Sequence, residues 1–230
     1  MNLLDIIIIL FLLMLAVTGF KTGVIRELTS LIGIILVFII AYNLKGVLGN
    51  LLCIWLPFIN FQGKLVGLNI INVLFYQAVA FIIIFSLLLG IYAILLKVSK
   101  VLQKVVNLTI ILWLPSKILG AVVSVLKGCI IIFAILLLLE VPFKNSEFLN
   151  TSKIANKLLY ETPILSEKTK EYRLAIDEIY TLIQEVNDKK ISDKEVNNKI
   201  LDIMLKYKIT TKDMIKKLID LNKLEAIYNI

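Results

Sequence analysis

Gly19-Phe-Lys21-Thr-Gly23-Val-Ile-Arg26-Glu27-Leu-Thr-Ser30 lies between two apolar runs, each only just long enough to cross a bilayer. The first, Leu3 to Phe20, is broken only by Asp5 and Thr18. A spanning helix needs about 20 residues, so this run barely suffices. The second, Leu28 to Tyr42, is too short until it is extended back to Gly23 and on to Leu44. It then covers about 33 Å at the helical rise per residue. Arg26 and Glu27 fall in its first turn, at headgroup depth, and the chain reverses near Gly19 and Gly23. The quoted stretch therefore reads as the turn of a membrane-spanning helical hairpin. Asp5 stands in the first turn of the hairpin's first helix, where a carboxylate suits the positive helix end.

Composition supports a membrane class. The chain has 230 residues, 59% of them hydrophobic, and a mean hydropathy of +0.91. Soluble domains carry about 45–50% apolar residues. Charge is uneven: residues 1–143 hold nine Lys/Arg against three acids, and the last 87 residues hold sixteen against fourteen. This divides the chain into a membrane domain over 1–143 and a mixed-charge tail over 144–230. Histidine is absent, which removes His-based triads, general acids and metal ligands. Cys53 and Cys129 stand far apart in apolar surroundings, so they read as free thiols. No positive segment precedes the first apolar run, so a cleavable signal is not expected.

Residues 45–69 read as a connector, in which Leu51–Phe58 is too short to span and is expected to be interfacial or re-entrant. Ile70 to Leu96 is a long third span. Lys97, Lys100 and Lys104 follow on one helical face with valines opposite, the pattern of an amphipathic helix lying on anionic headgroups. Trp113 and Pro115 punctuate before a last span from Ser116 to Leu139, which Glu140 and Pro142 close. The tail carries helical stripes: Tyr172, Ile176, Ile179, Ile183 and Val186; then Val196, Ile200, Ile203 and Tyr207 after a Ser192–Glu195 capping box; then Met214, Leu218 and Leu221 after Thr211. Such stripes pack together or onto a protein partner. The expected fold is an all-α integral membrane protein with four transmembrane helices, an amphipathic surface helix and a soluble helical tail. Six Lys/Arg flank the spans on the side of the Gly19–Glu27 turn and three on the other, which places both termini outside the cytoplasm.

Ser116, Gly120, Ser124 and Gly128 recur every four residues and form a nearly smooth ridge, which Gly19 and Gly23 answer in the hairpin. Small residues let helix backbones approach closely in lipid. The ridge fits either intramolecular packing or the seam of a homo-oligomer. Lys127 lies about 10 Å below the far membrane surface if its helix ends at Glu140. It is either a snorkelling anchor or the ion-pair partner of Glu27, with Arg26 turned to lipid phosphates. No set of side chains forms a catalytic constellation, a metal cluster or a phosphate-cradling loop. The expectation is a non-enzymatic protein with no cofactor and no nucleic-acid partner.

These two stretches resemble the colicin V production protein (CvpA) family of bacterial inner-membrane proteins. The family pattern has an acid before the first span, matched by Asp5, and a glycine, two apolar residues, Arg-Glu and a nearby Ser, matched by Gly23-Val-Ile-Arg26-Glu27-Leu-Thr-Ser30. Its later signature, Asp-Arg-x-x-Gly-x-x-x-Gly-x-x-Arg-Gly, is replaced here by Ser116-Lys117-Ile-Leu-Gly120-Ala-Val-Val-Ser124-Val-Leu-Lys127-Gly128. Both arginines are lysine, the Asp is Ser116 and one Gly is Ser124. Charge and small size are kept, and bidentate guanidinium pairing is not. The resemblance implies an inner-membrane factor that supports toxin (colicin V) production or export and envelope homeostasis. A small transporter or channel subunit is the alternative.

Overall fold

The computed structural model of the chain describes residues 2–62, 65–103, 113–144, 146–187 and 193–225. Among these residues the secondary structure is helical, with no strand. Among the described residues four helices are long and apolar enough to cross a membrane: α1 (Leu3–Thr22), α2 (Val24–Trp55), α3 (Ile71–Gln103) and α4 (Trp113–Phe143). The chain is an all-α membrane protein. Six shorter helices follow: α5 (Glu147–Asn150), α6 (Lys153–Glu161), α7 (Leu165–Lys168), α8 (Lys170–Asn187), α9 (Asp193–Lys206) and α10 (Lys212–Asp220).

Three boundaries differ from the sequence reading. The second span does not stop near Leu44; α2 runs unbroken for 32 residues to Trp55. No proline stands between Leu44 and Trp55, the helix carries Gly46 and Gly49, and Pro57 ends it by disfavouring the helical backbone at the residue before it. The interfacial or re-entrant segment expected over Leu51–Phe58 is therefore largely the last turn of α2. Likewise α3 continues through Lys97 and Lys100 to Gln103, so the start of the expected surface helix is one piece with the third span. Lys104 lies outside the described residues. Pro115 does not precede the last helix but sits in its first turn, where a missing N–H costs nothing.

The chain packs as two compact units that interleave in sequence: Met1–Asn43, Ile83–Leu137 and Ser146–Thr162 form one; Leu44–Ile82, Leu138–Asn145 and Pro163–Ile230 form the other. The chain passes from the second unit to the first after Asn145, close to the change of composition near residue 143, and it also changes unit after Asn43, Ile82, Leu137 and Thr162.

In the first unit, Phe38 is fully buried, with its ring 5.6 Å from that of Phe133 and 6.3 Å from that of Phe85, both edge-on. Gly33 makes room for the Tyr92 ring, whose hydroxyl donates to the Thr29 carbonyl at 2.9 Å. Half of the apolar window of α4 is buried, against 17% for α1. So α4 is an inner helix, and α1 turns most of its surface outward, as lipid contact requires.

The second unit joins tail helices to the ends of the long helices. Tyr172, Ile176, Ile179 and Ile183 are buried, as are Val196, Ile200 and Ile203. Leu221 departs from its expected stripe: α10 ends at Asp220, and Leu221 is 44% exposed while Ile215 and Leu224 are buried. Thr211 caps α10, accepting from the Met214 N–H at 3.3 Å. Ser192 lies outside the described residues. Asn197 donates to the Gly67 carbonyl at 2.9 Å. Lys223 donates to the carbonyls of Cys53, Ile54 and Leu56 at 2.7, 2.6 and 2.8 Å. It thereby satisfies the orphan carbonyls at the end of α2 with a cation, the sign that the helix dipole favours there. Lys223→Ala is expected to speed amide hydrogen exchange over residues 53–60 and 221–225. Hydrogen bonds from a charged donor contribute about 1.5–3 kcal/mol. The exposed Lys217 is the control, and equal exchange in both variants would show that the cap carries no stability.

Candidate functional site

The site forms in the first unit, where the two quoted stretches meet. α1 ends at Thr22 and α2 begins at Val24, so the hairpin turn is a single residue. Gly23 has φ of +84°, a backbone that side-chain-bearing residues rarely adopt, and its N–H donates to the Gly19 carbonyl at 3.0 Å.

α4 crosses this turn backbone to backbone. A Cβ placed on Gly120 would lie 2.5 Å from the Gly19 carbonyl oxygen and 2.8 Å from the Gly23 carbonyl carbon. A Cβ on Gly19 would in turn collide with Gly120 and Ser124. Further along, a Cβ on Gly128 would lie 2.6 Å from Leu15 Cδ1 and 2.8 Å from Leu12 Cδ2. Ser116 accepts from the Val24 N–H at 3.3 Å, which fastens the start of α2. Ser124 is fully buried and its hydroxyl has no hydrogen-bond partner among the described residues. It serves by being small, in the place where the family pattern has Gly. The ridge Ser116–Gly120–Ser124–Gly128 is therefore occupied by the chain's own α1 and hairpin turn.

Close approach of the helices brings the charges together. Lys127 Nζ donates to Glu27 Oε2 in an ion pair, with the Glu27 side chain 6% and the Lys127 side chain 14% exposed. The other carboxylate oxygen, Oε1, accepts from the Thr22 hydroxyl at 2.5 Å. Glu27 thus has a partner on α1, one on α4, and its own place on α2. Three helices are tied at one carboxylate. Arg26, its neighbour, is exposed. Lys117 lies with Nζ 5.6 Å from the centre of the Phe20 ring, a cation–π distance. The side chains of Lys97 and Lys100, and all of Lys104, lie outside the described residues. Among the described residues no group of three or more Cys, Asp or Glu is placed to hold a metal ion. The chemistry of the cluster is that of a charged lock between helices.

Three polar clusters escaped the sequence reading. Asp5 is more than a helix-start acid. It is fully buried, and its carboxylate accepts from the Asn2 N–H at 3.1 Å, the Ser152 hydroxyl at 2.5 Å and the Ile154 N–H at 3.1 Å. With Asn2 it forms a capping box on α1, which the Asn2-x-x-Asp5 spacing could have disclosed. Its bonds to residues 152 and 154 have no local signal. In the second unit, Lys45 is 9% exposed, donates to Gln77 Oε1 at 3.2 Å and stands 3.9 Å from the centre of the Tyr172 ring. Gln77 donates onward to the Ile209 carbonyl at 2.6 Å. Sequence alone shows Lys45 only as a boundary charge. At the end of α4, Lys144 bridges Glu140, at 2.9 Å, and Asp177.

A search of the curated proteins finds no match, and neither does a search of the solved structures. The family model for the colicin V production protein matches residues 4–163. That range starts one residue before Asp5, takes in both stretches that form the lock, and runs past the end of α6, through the Ser152 that Asp5 holds. It covers more than two thirds of the chain, which belongs to the colicin V production protein family.

Proposed function

We propose that this chain is a non-enzymatic inner-membrane factor that supports toxin or bacteriocin production or export and envelope homeostasis. The observation that carries the reading is the meeting of the two family-like stretches: the family's paired motifs come together at Gly23–Gly120 and at Glu27–Lys127. Family membership supplies the link to toxin production. The lock keeps α1, α2 and α4 in register, and the tail presents surface to a protein partner.

Both termini lie outside the cytoplasm in this reading, because six Lys/Arg mark the side of the α1–α2 turn and three the other. Reporter fusions after Asn50, Asn107 and Ile230 test it: activity outside is expected at Asn50 and Ile230 and inside at Asn107. A tail reporter active only in the cytoplasm would reverse the assignment.

Function is tested by complementation. In a bacteriocin-producing strain lacking its own family member, this chain is expected to restore toxin release, and the Glu27→Gln variant to restore less. Equal release with and without the chain would overturn the proposal. Solute or ion flux through vesicles containing only this chain would instead favour a transporter or channel subunit.

A further inference from the structure

We propose that α5 and α6 form a lipid-surface clamp that lies in the headgroup layer at the start of α1 and binds anionic phospholipid through Lys153, Lys157, Tyr160 and Phe148.

Depth is the first argument. α1 has 20 residues, which at the helical rise spans about 30 Å, the thickness of a hydrocarbon core. It has no spare turn, so each end sits at a membrane boundary. The residues bonded to its first turn are held at that same level. Asp5 accepts from the Ser152 hydroxyl at 2.5 Å and from the Ile154 N–H at 3.1 Å. Ser152 is the N-cap of α6 and accepts from the Ala155 N–H at 3.1 Å. Asn2 donates to the Phe148 carbonyl at 2.5 Å and to the Thr151 hydroxyl at 3.0 Å. Four hydrogen bonds, from Asn2 and Asp5 to Phe148, Thr151, Ser152 and Ile154, thus pin α5 and the start of α6 to the first turn of a minimal span.

The surface left outward is the second argument. Ala155 and Leu159 are buried, and α6 packs on α1. Lys153, Lys157 and Tyr160 are exposed and follow i, i+4, i+7, one helical face, which also carries Glu161, 4.0 Å from Lys157 in an exposed pair that costs little to open. On α5, Leu149 is buried and Phe148 is 41% exposed; Tyr160 is 46% exposed. Two lysines beside a tyrosine and a phenylalanine suit one environment, the boundary between anionic headgroups and acyl chains. Lysine stems reach the phosphates while the rings sit at the edge of the hydrocarbon. This surface is at the opposite end of α1 from the Gly19–Glu27 turn.

The test uses the full chain in vesicles, with Trp55 and Trp113 replaced by Phe and a single Trp placed at 148 or 160 (Phe148→Trp, Tyr160→Trp). Circular dichroism and heat resistance matching the parent qualify each variant. In phosphatidylcholine vesicles containing phosphatidylglycerol, both probes are expected to be quenched by bromine placed high on the acyl chain and protected from aqueous acrylamide. Adding phosphatidylglycerol to phosphatidylcholine is expected to reduce quenching at 160 by the neutral quencher acrylamide by about two-fold or more, in keeping with the attraction of each lysine to an anionic surface. The pair Lys153→Gln and Lys157→Gln should abolish that increment. Acrylamide quenching without bromine quenching would place the surface in water and overturn the proposal. So would shielding from both quenchers, the mark of a covering protein, or an increment that survives loss of both lysines.

Discussion

Glu27→Gln and Lys127→Gln are each expected to lower the unfolding free energy in detergent by about 3–5 kcal/mol, because removing one member of a buried pair leaves the other charge desolvated and unpaired. The size of the effect turns on burial. An exposed or snorkelled pair contributes only about 0–1 kcal/mol. Glu27 is 4% exposed as a residue, so the buried case applies to the carboxylate. The double variant should lose less than the sum of the two, by about 0.5–3 kcal/mol, since two residues in one ion pair couple. Glu27 has a second partner in Thr22. Lys127→Gln therefore leaves one carboxylate oxygen bonded, and Glu27→Gln leaves the ammonium with less. Of the two, Glu27→Gln should cost more. Chemical denaturation of the parent, both single variants and the double variant forms the complete cycle. Strictly additive losses would mean that the pair does not hold the helices.

This pair was legible in the sequence as one of two readings of Lys127, because its signals are local and few. An acid and a cation in otherwise apolar runs have few ways to lie in lipid, and the two approach the membrane from one side, within reach of a lysine stem. The small-residue spacing was legible for a similar reason. What it could not disclose was its occupant, since a smooth helix face fits a neighbour in the same chain as well as one in another. Gly23 at φ +84° and Gly120 against the Gly19 carbonyl decide that from geometry. The length of α2 was hidden by hydropathy. Lys45 and Asn50 lower the apolar signal after Leu44, yet neither breaks a helix, and the buried Lys45 finds Gln77 and Tyr172 far along the chain. Asp5 was read from its own turn alone. Its bonds to Ser152 and Ile154 join residues about 150 apart in sequence, and no periodicity reports a contact of that range. The tail was read correctly as amphipathic helices, but a stripe shows that a face is covered and not by what. Lys223 at the end of α2 and Asn197 at the Gly67 carbonyl show part of the answer.

Gly120→Leu is expected to abolish the folded first unit, with loss of accumulation in the membrane and of heat resistance in detergent. The argument rests on what the added atoms would meet. A Cβ at Gly120 comes to 2.5 Å from the Gly19 carbonyl oxygen and 3.0 Å from the Gly23 Cα. These are backbone atoms of the hairpin turn and cannot rotate away, so relief requires α1 and α4 to separate. Separation draws Ser116 from the Val24 N–H and Lys127 from Glu27, which adds the cost of an unpaired buried charge to that of lost packing. Overpacking alone typically costs about 1–3 kcal/mol, so most of the effect comes from the bonds that depend on the crossing. Gly90 supplies the control in the same unit. A Cβ there meets nothing within 4 Å. Gly90→Leu should therefore be tolerated, and should gain up to about 1 kcal/mol from helix propensity, which disfavours Gly by that amount relative to good helix formers. The comparison separates contact from glycine content: both changes remove a glycine from a membrane helix, and only one drives a side chain into another backbone. Equal accumulation and heat resistance of the two variants would show that α1 and α4 do not meet at Gly120, and the lock at Glu27 would then have to be held by other means.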